Sequence, residues 1–253
     1  MLENVGFYHF SPTGGTKKVG EIFCNAFSAN IDAVDLMKKD IKSVDADVVV
    51  FAAPVFAGRI PKIVADKIKM INGTGKKAVT LAVYGVRAYE DALIELNDVV
   101  EACGFQVIAS AAPIAQHSMV SAVGAGRPDD QDENEIQNFA KQVLEKLGKQ
   151  DFHKVEVPGN RPYKDGMTVS ATPISTEACN KCGVCEAICP TEAIQISEEV
   201  ETTLEKCILC MACTAHCPAK ARILPPPMQA GMNERLGGLK DVRRENEFFC
   251  KSL

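Results

Sequence analysis

The sequence predicts an α/β protein with a second, small α+β unit. Residues 1–148 read as a five-stranded, doubly wound parallel sheet, 149–172 as an extended linker, 173–227 as the small unit and 228–253 as a tail. Three observations carry this. Strand-like and helix-like stretches alternate through the first 148 residues. The run Val48–Ala53 is apolar without a break and stops at Pro54, as a central parallel strand buried on both faces would. A cysteine-rich run occurs twice between Cys179 and Pro218, marking a separate internal repeat.

Val5–Phe10 reads as the first strand. Thr16–Ala29 has helical periodicity, with Val19, Ile22, Phe23, Ala26 and Phe27 on one face. Ile31–Leu36 is the second strand and Asp47–Ala53 the third. A helix follows Pro61, a residue suited to a first helical position. Lys77–Tyr84 is the fourth strand, Ala88–Ala102 a helix and Phe105–Ala112 the fifth strand. Asp132–Leu147 is the last helix, with Ile136, Phe139, Val143, Leu144 and Leu147 inward and Gly148 as its stop. Ile114–Asp130 is long for a connection inside a compact domain, which marks it as a cover for a ligand or a contact to the second unit. In a doubly wound sheet the ligand lies at the carboxyl ends of the strands, near the switch in strand order. The loops after strands 1, 3 and 4 are therefore the ones to inspect.

The loop after strand 1 is Ser11-Pro12-Thr13-Gly14-Gly15-Thr16. It is neither G-x-G-x-x-G nor a Walker loop. Backbone N–H groups at a helix start, flanked by hydroxyls, cradle a phosphate without a cation; the plainer reading is an N-cap and turn. The run resembles the FMN-phosphate loop of flavodoxins. That resemblance implies FMN, with its phosphate on Ser11, Thr13, Gly14, Gly15 and Thr16. It implies a flavin ring clasped by Pro54, Val55, Phe56, Ala57 and Gly58 after strand 3, and by Tyr84, Gly85, Arg87 and Tyr89 after strand 4. Ala57 and Gly58 would let the backbone approach the ring edge. Phe56 and Tyr89 are candidate stacking aromatics. Arg87 is a candidate positive charge beside a reduced ring; the alternative is that Arg87 and Tyr89 only open the next helix. Where Val86 stands, flavodoxins often carry Asn, so one polar contact is missing.

Each cysteine run reads C-x₂-C-x₂-C-x₃-C-P, the bacterial two-cluster ferredoxin spacing. Three cysteines hold one cubane and the fourth completes the other. Cys179, Cys182, Cys185 and Cys217 are thus the expected ligands of one [4Fe–4S] cluster, and Cys207, Cys210, Cys213 and Cys189 of the second. Zinc would leave the third and fourth cysteines of each run without a use. Disulfides want a secreted context, and haem attachment wants C-x-x-C-H, which neither run has. Both runs resemble the 2[4Fe–4S] ferredoxins. Of the eleven cysteines, Cys24 and Cys103 read as core thiols, and Cys250 has no assigned role. Pro225-Pro226-Pro227 is expected to end regular structure. Phe248 and Phe249 are expected either to pack back across the two domains or to belong to a loose tail.

The net charge of −5 and pI near 5.5 argue against a nucleic-acid partner. No positive n-region opens the chain and no apolar run reaches membrane-spanning length, so a cytoplasmic protein without membrane insertion is expected. Residues 1–227 together resemble fused flavodoxin–ferredoxin proteins of anaerobic bacteria and archaea. The resemblance implies an electron-transfer protein that links a low-potential donor to redox partner proteins through two clusters and FMN. Two other classes remain open. One is a flavin-dependent oxidoreductase acting on a quinone, a nitro compound or NAD(P); the other is a non-catalytic redox sensor. No nicotinamide fingerprint and no acid–base pair is present, and no residue is assigned as catalytic, His117 included.

Overall fold

A computed structural model describes residues 2, 4–46, 48–150 and 152–250. Met1, Glu3, the Asp47 end of the expected third strand, and Lys251, Ser252 and Leu253 of the tail lie outside the described residues.

Five strands form a parallel sheet: β1 (Val5–His9), β2 (Ile31–Asp35), β3 (Val48–Pro54), β4 (Lys77–Val83) and β5 (Gln106–Ala112), in the order β2-β1-β3-β4-β5. Every residue of β3 is buried, which is why its sequence lacks alternation. Helices cover both faces. α1 (Gly15–Phe27) and α4 (Asp130–Lys149) pack one face through Phe23, Phe27 and Phe139. α2 (Lys62–Ile68) and α3 (Ala92–Ala102) pack the other, where Phe51 meets Phe105 edge-on. The strand order reverses between β1 and β3, which places the switch point at their carboxyl ends.

Three helix boundaries differ from the sequence reading. α3 begins at Ala92 rather than Ala88, because Val86 and Glu90 adopt positive φ (66° and 45°) and cannot belong to a right-handed helix. Pro61 is the N-cap of α2 instead of its first helical residue. α4 passes through Gly148, and the left-handed turn that ends it is made by Gln150 (φ 54°). Its start is fixed by a reciprocal cap between Asp129 and Asp132.

The linker has no regular structure from 152 to 173, and it is clamped onto α3. Asp91 accepts the N–H groups of Asn160 (2.8 Å) and Lys164 (2.7 Å). Asp98 takes Arg161 and Tyr163, and Arg59 lies over the Tyr163 ring, 4.7 Å from its centre.

The small unit pairs β6 (Ile174–Ser175) with β9 (Arg222–Ile223), and β7 (Ile194–Ile196) with β8 (Val200–Thr202), both antiparallel. Its helical turns, α5 (Val184–Ala187) and α6 (Ala212–Ala215), precede each Cys-Pro, and each carries the third cysteine of its run. The repeat extends to the backbone. Positive φ falls at Lys181, Gly183 and Glu192, and again at Leu209, Met211 and Lys220, the offset that relates Cys179 to Cys207.

The tail is ordered by the sheet domain. Pro226 opens α7 (Pro226–Leu236) where the triple proline had been expected to end structure; at the first positions of a helix the missing N–H has no partner to lose. β10 (Glu247–Phe249) adds a sixth, antiparallel strand beside β5. Phe248 packs on Phe139 (4.9 Å) and Phe249 on the opposite face, so the two rings straddle the sheet edge instead of bridging the domains. Among the described residues no helix is long and apolar enough to cross a membrane.

Candidate functional site

A cavity opens at the carboxyl ends of β1, β3 and β4. Thr13, Gly15 and Thr16 line it from the first loop, Pro54 to Gly58 from the second, and Tyr84, Gly85 and Arg87 from the third. Ser11, Gly14 and Tyr89 do not. The Ser11 hydroxyl accepts the Lys17 N–H (2.9 Å), and Gly14 supplies the left-handed turn (φ 91°) that starts α1. Tyr89 is buried edge-on to Tyr84 (5.3 Å), and its hydroxyl donates to Glu247 (2.7 Å), so its ring has no face to offer a ligand.

Each loop has a local cause. Phe56 and Arg59 exchange backbone hydrogen bonds (2.9 and 3.1 Å) around Ala57 (φ 52°) and Gly58 (φ 88°), a two-residue turn with both central residues left-handed. A Cβ on Gly58 would lie 1.8 Å from the Glu90 carboxylate, and that carboxylate is already paired with Arg87 (2.8 Å). A Cβ on Gly85 would lie 2.7 Å from the His117 ring. Val86, where the resemblance leads one to expect Asn, is fully buried in the core under the cavity.

The connection after β5 contributes Ala115, Gln116, His117 and Ser118 to the cavity, none of which had been singled out as binding. Its length was the available signal. The His117 Nδ1 accepts the N–H groups of Met119 and Val120 (both 3.2 Å). Its ring proton therefore sits on Nε2. Burial, helped by nearby Arg87, holds its pKa below the ordinary 6.5.

The end of the cavity beside the first loop offers free donors. The amides of Lys17 and Lys18 are taken by Ser11 and Gly14, whereas those of Thr13, Gly15 and Thr16 meet no acceptor among the described residues. Free amides at the first turn of a thirteen-residue helix, with two threonine hydroxyls beside them, suit a phosphate.

Two smaller chambers lie in the C-terminal unit. One gathers Cys179, Cys182, Cys185 and Cys217. The other gathers Cys189, Cys207, Cys210 and Cys213. Each set takes its fourth cysteine from the opposite run. Among the described residues no three Cys, His, Asp or Glu side chains converge tightly enough for a single ion; a cubane spreads its thiolates over separate iron corners, so the donor set decides the fit. Both chambers offer four thiols. Cys189 Sγ accepts the Ala193 N–H and Cys217 Sγ that of Ala221, each at 3.2 Å. Burial pushes the Cys210 thiol up to about 12 and raises Cys185, Cys207 and Cys213. Burial acts the same way on Cys217, but the N–H groups of Ala221, Arg222 and Ala219 outweigh it and lower its pKa.

Cys210 belongs to both places. It lines the second chamber and also the cavity of the sheet domain. Ile208 and Cys210 pack against the sheet-domain core.

Residues 178–221 match the family model of the 4Fe–4S dicluster domain. No curated protein matches the chain. Among solved structures, the sheet domain is similar to oxidised flavodoxin 1 from Bacillus cereus, 17% identical over 56% of this chain and 98% of that one, with a TM-score of 0.44. The Fusobacterium nucleatum flavodoxin bound to flavin mononucleotide is 13% identical over 57% and 99%, with a TM-score of 0.42. Rubredoxin oxygen:oxidoreductase from the anaerobe Desulfovibrio gigas is 14% identical over 59% and 37%, with a TM-score of 0.44. The strand order β2-β1-β3-β4-β5 is itself the flavodoxin order. The chain joins an α/β domain of flavodoxin strand order to a segment, residues 178–221, that matches the 4Fe–4S dicluster domain.

Proposed function

We propose that the chain is an electron-transfer protein that carries FMN in the sheet domain and two [4Fe–4S] clusters in the C-terminal domain, linking a low-potential donor to a redox partner protein. Bound there, FMN supplies one- or two-electron chemistry and each cluster a single electron. The observation that carries the reading is Cys210, one side chain shared by the wall of the ring cavity and the second cysteine chamber. The residues around it do three things. Thr13, Gly15 and Thr16 offer amides and hydroxyls to the phosphate. Phe56 and the Ala57–Gly58 turn approach the ring edge. Ile208, Leu209 and Met211 keep water from the inner chamber. The outer chamber includes exposed Cys182, which makes it the face for a protein donor. Among the described residues lining the cavity no acid–base pair is aimed at a further substrate, which favours a carrier over an oxidoreductase.

The test is an anaerobic absorbance titration of the full, reconstituted chain with NADH, then NADPH, then a reduced ferredoxin. The carrier reading expects no bleaching by either nucleotide and reduction of all centres by the ferredoxin. Prompt bleaching by a nucleotide would make the protein a pyridine-nucleotide oxidoreductase instead.

A further inference from the structure

The two halves of the cysteine repeat differ at one buried position. Ile194 follows the first Cys-Pro and Arg222 follows the second at the same spacing. Both are buried, at 4% and 2% exposure. A guanidinium thus occupies a place that the first half fills with an aliphatic side chain.

Among the described residues the guanidinium of Arg222 donates to three neutral oxygens: Ser175 Oγ (3.1 Å), the Pro173 carbonyl (2.8 Å) and Thr202 Oγ1 (2.7 Å). Its Nε is buried and has no hydrogen-bond partner of ordinary geometry. No carboxylate among the described residues pairs with it. An isolated buried cation is strongly unfavourable, so such a group marks the place of an anion. Arg222 lines the outer chamber of Cys179, Cys182, Cys185 and Cys217. Its Nη2 donates to Pro173 and Thr202, and both residues line the inner chamber of Cys189, Cys207, Cys210 and Cys213.

A cubane with four thiolates is an anion, and each one-electron reduction adds one more negative charge. We propose that Arg222 is a counter-charge shared by the two clusters, which raises both reduction potentials and allows both clusters to be reduced together. Each reduction takes one electron from the external donor and no proton. The inference rests on the ligand sets proposed above. It makes Arg222 a positioning and tuning residue, because it touches cysteine sulfur surroundings and not a substrate.

The test uses the full chain reconstituted anaerobically with iron and sulfide. Iron and sulfide are assayed, and potentials are read by EPR-monitored titration with dithionite. In Arg222→Ile, which restores the residue of the first half, the equilibrium constant for reduction should fall at least tenfold at each cluster, or about 59 mV for a one-electron couple. The second electron should be affected more than the first. Arg222→Lys should retain most of the wild-type value. Unchanged potentials in Arg222→Ile, or an equal fall in Arg222→Lys, would overturn the proposal. Should Arg222→Ile not take up iron, Arg222→Gln replaces it under the same criterion. Loss of iron in both neutral variants, with retention in Arg222→Lys, supports the need for a cation; loss in all three overturns it. A wild-type chain without iron for two clusters would instead refute the ligand sets, so the two failures are distinct.

Discussion

At His117 the tautomer is set by the backbone. Two N–H groups point at Nδ1, so the proton is on Nε2, and the depressed pKa keeps the ring neutral near pH 7. In the proposed flavin cavity a neutral donor can bond a ring oxygen or nitrogen without adding charge. His117→Phe should weaken FMN binding about tenfold, the cost of one hydrogen bond or ~1.4 kcal/mol, while His117→Gln keeps a donor and loses less. Fluorescence titration with FMN measures both, and equal affinity in the Phe variant would refute the contact. In the apo protein an NMR titration of the imidazole should find a midpoint below 6.5. The sign for stability follows: above pH 6.5 the ring contributes no pH dependence, and stability falls as pH drops from 6.5 through the lower folded value, because the unfolded chain takes up the proton first. Thr13→Ala with Thr16→Ala should likewise weaken FMN binding while leaving the iron content unchanged. Full flavin retention would move the phosphate elsewhere. Of these residues the threonines were visible in the sequence as a loop between a strand and a helix. His117 was visible only as part of a long connection, since nothing in its neighbours in sequence says that a glycine at position 85 lets its ring come close.

Elements that look like connectors carry much of the tertiary order. The tail is anchored through Asn246, which is buried and bonded on both ends of its amide: Nδ2 donates to Asp132 (2.8 Å) and Glu135 (2.6 Å), and Oδ1 accepts the Ile114 N–H (2.9 Å). Asn246→Ala strands at least the Ile114 N–H. At about 1–3 kcal/mol for an unsatisfied buried group, the variant should lower the urea midpoint clearly. A midpoint equal to wild type would show that β10 adds nothing to the sheet. The same anchor is acid-sensitive. Arg243 holds Asp129 far below the ordinary carboxylate range. At Asp132 burial opposes ionisation, but Arg127, the Asp129 N–H and Asn246 outweigh it. Both folded values lie below the ordinary 3.8, so this stabilisation is complete above pH 3.8 and is lost as pH falls from there through the folded values. Unfolding free energy measured against pH should decline in that window in wild type, and less steeply in Asp129→Asn. Little of this was legible beforehand. The parallel strands announce themselves through continuous apolar runs, but β10 is three residues long and takes its strand character from the free edge of β5, which no local pattern encodes. A run of three prolines suggests a stop on its own, but Pro226 and Pro227 occupy the first turn of α7, where proline is tolerated.

At the scale of the whole molecule, the spacing of the cysteines was enough to propose both ligand sets, because a C-x₂-C-x₂-C-x₃-C-P run has few other uses. What the spacing could not say is which chamber faces the sheet domain. That depends on how a linker without periodicity lies along α3 and on where the residues between Cys207 and Cys213 come to rest. The answer is asymmetric: Cys210 and Ile208 pack against the sheet domain, whereas Cys182 is exposed at the far chamber. On the proposed ligand sets an order of centres follows, with the Cys179–Cys182–Cys185–Cys217 set outermost and the Cys189–Cys207–Cys210–Cys213 set between it and the proposed flavin cavity. Removing either set should therefore have different consequences. Cys213→Ala, on the inner set, should leave the outer cluster reducible by a reduced ferredoxin while the flavin stays oxidised, although dithionite still reduces it directly. Cys185→Ala, on the outer set, should slow entry from the protein donor but leave transfer between inner cluster and flavin intact when a small mediator supplies the electron. Stopped-flow absorbance with iron analysis of each variant separates the cases. Rapid flavin reduction by ferredoxin in Cys213→Ala would mean that electrons bypass the inner set, and the order read from Cys210 would be wrong.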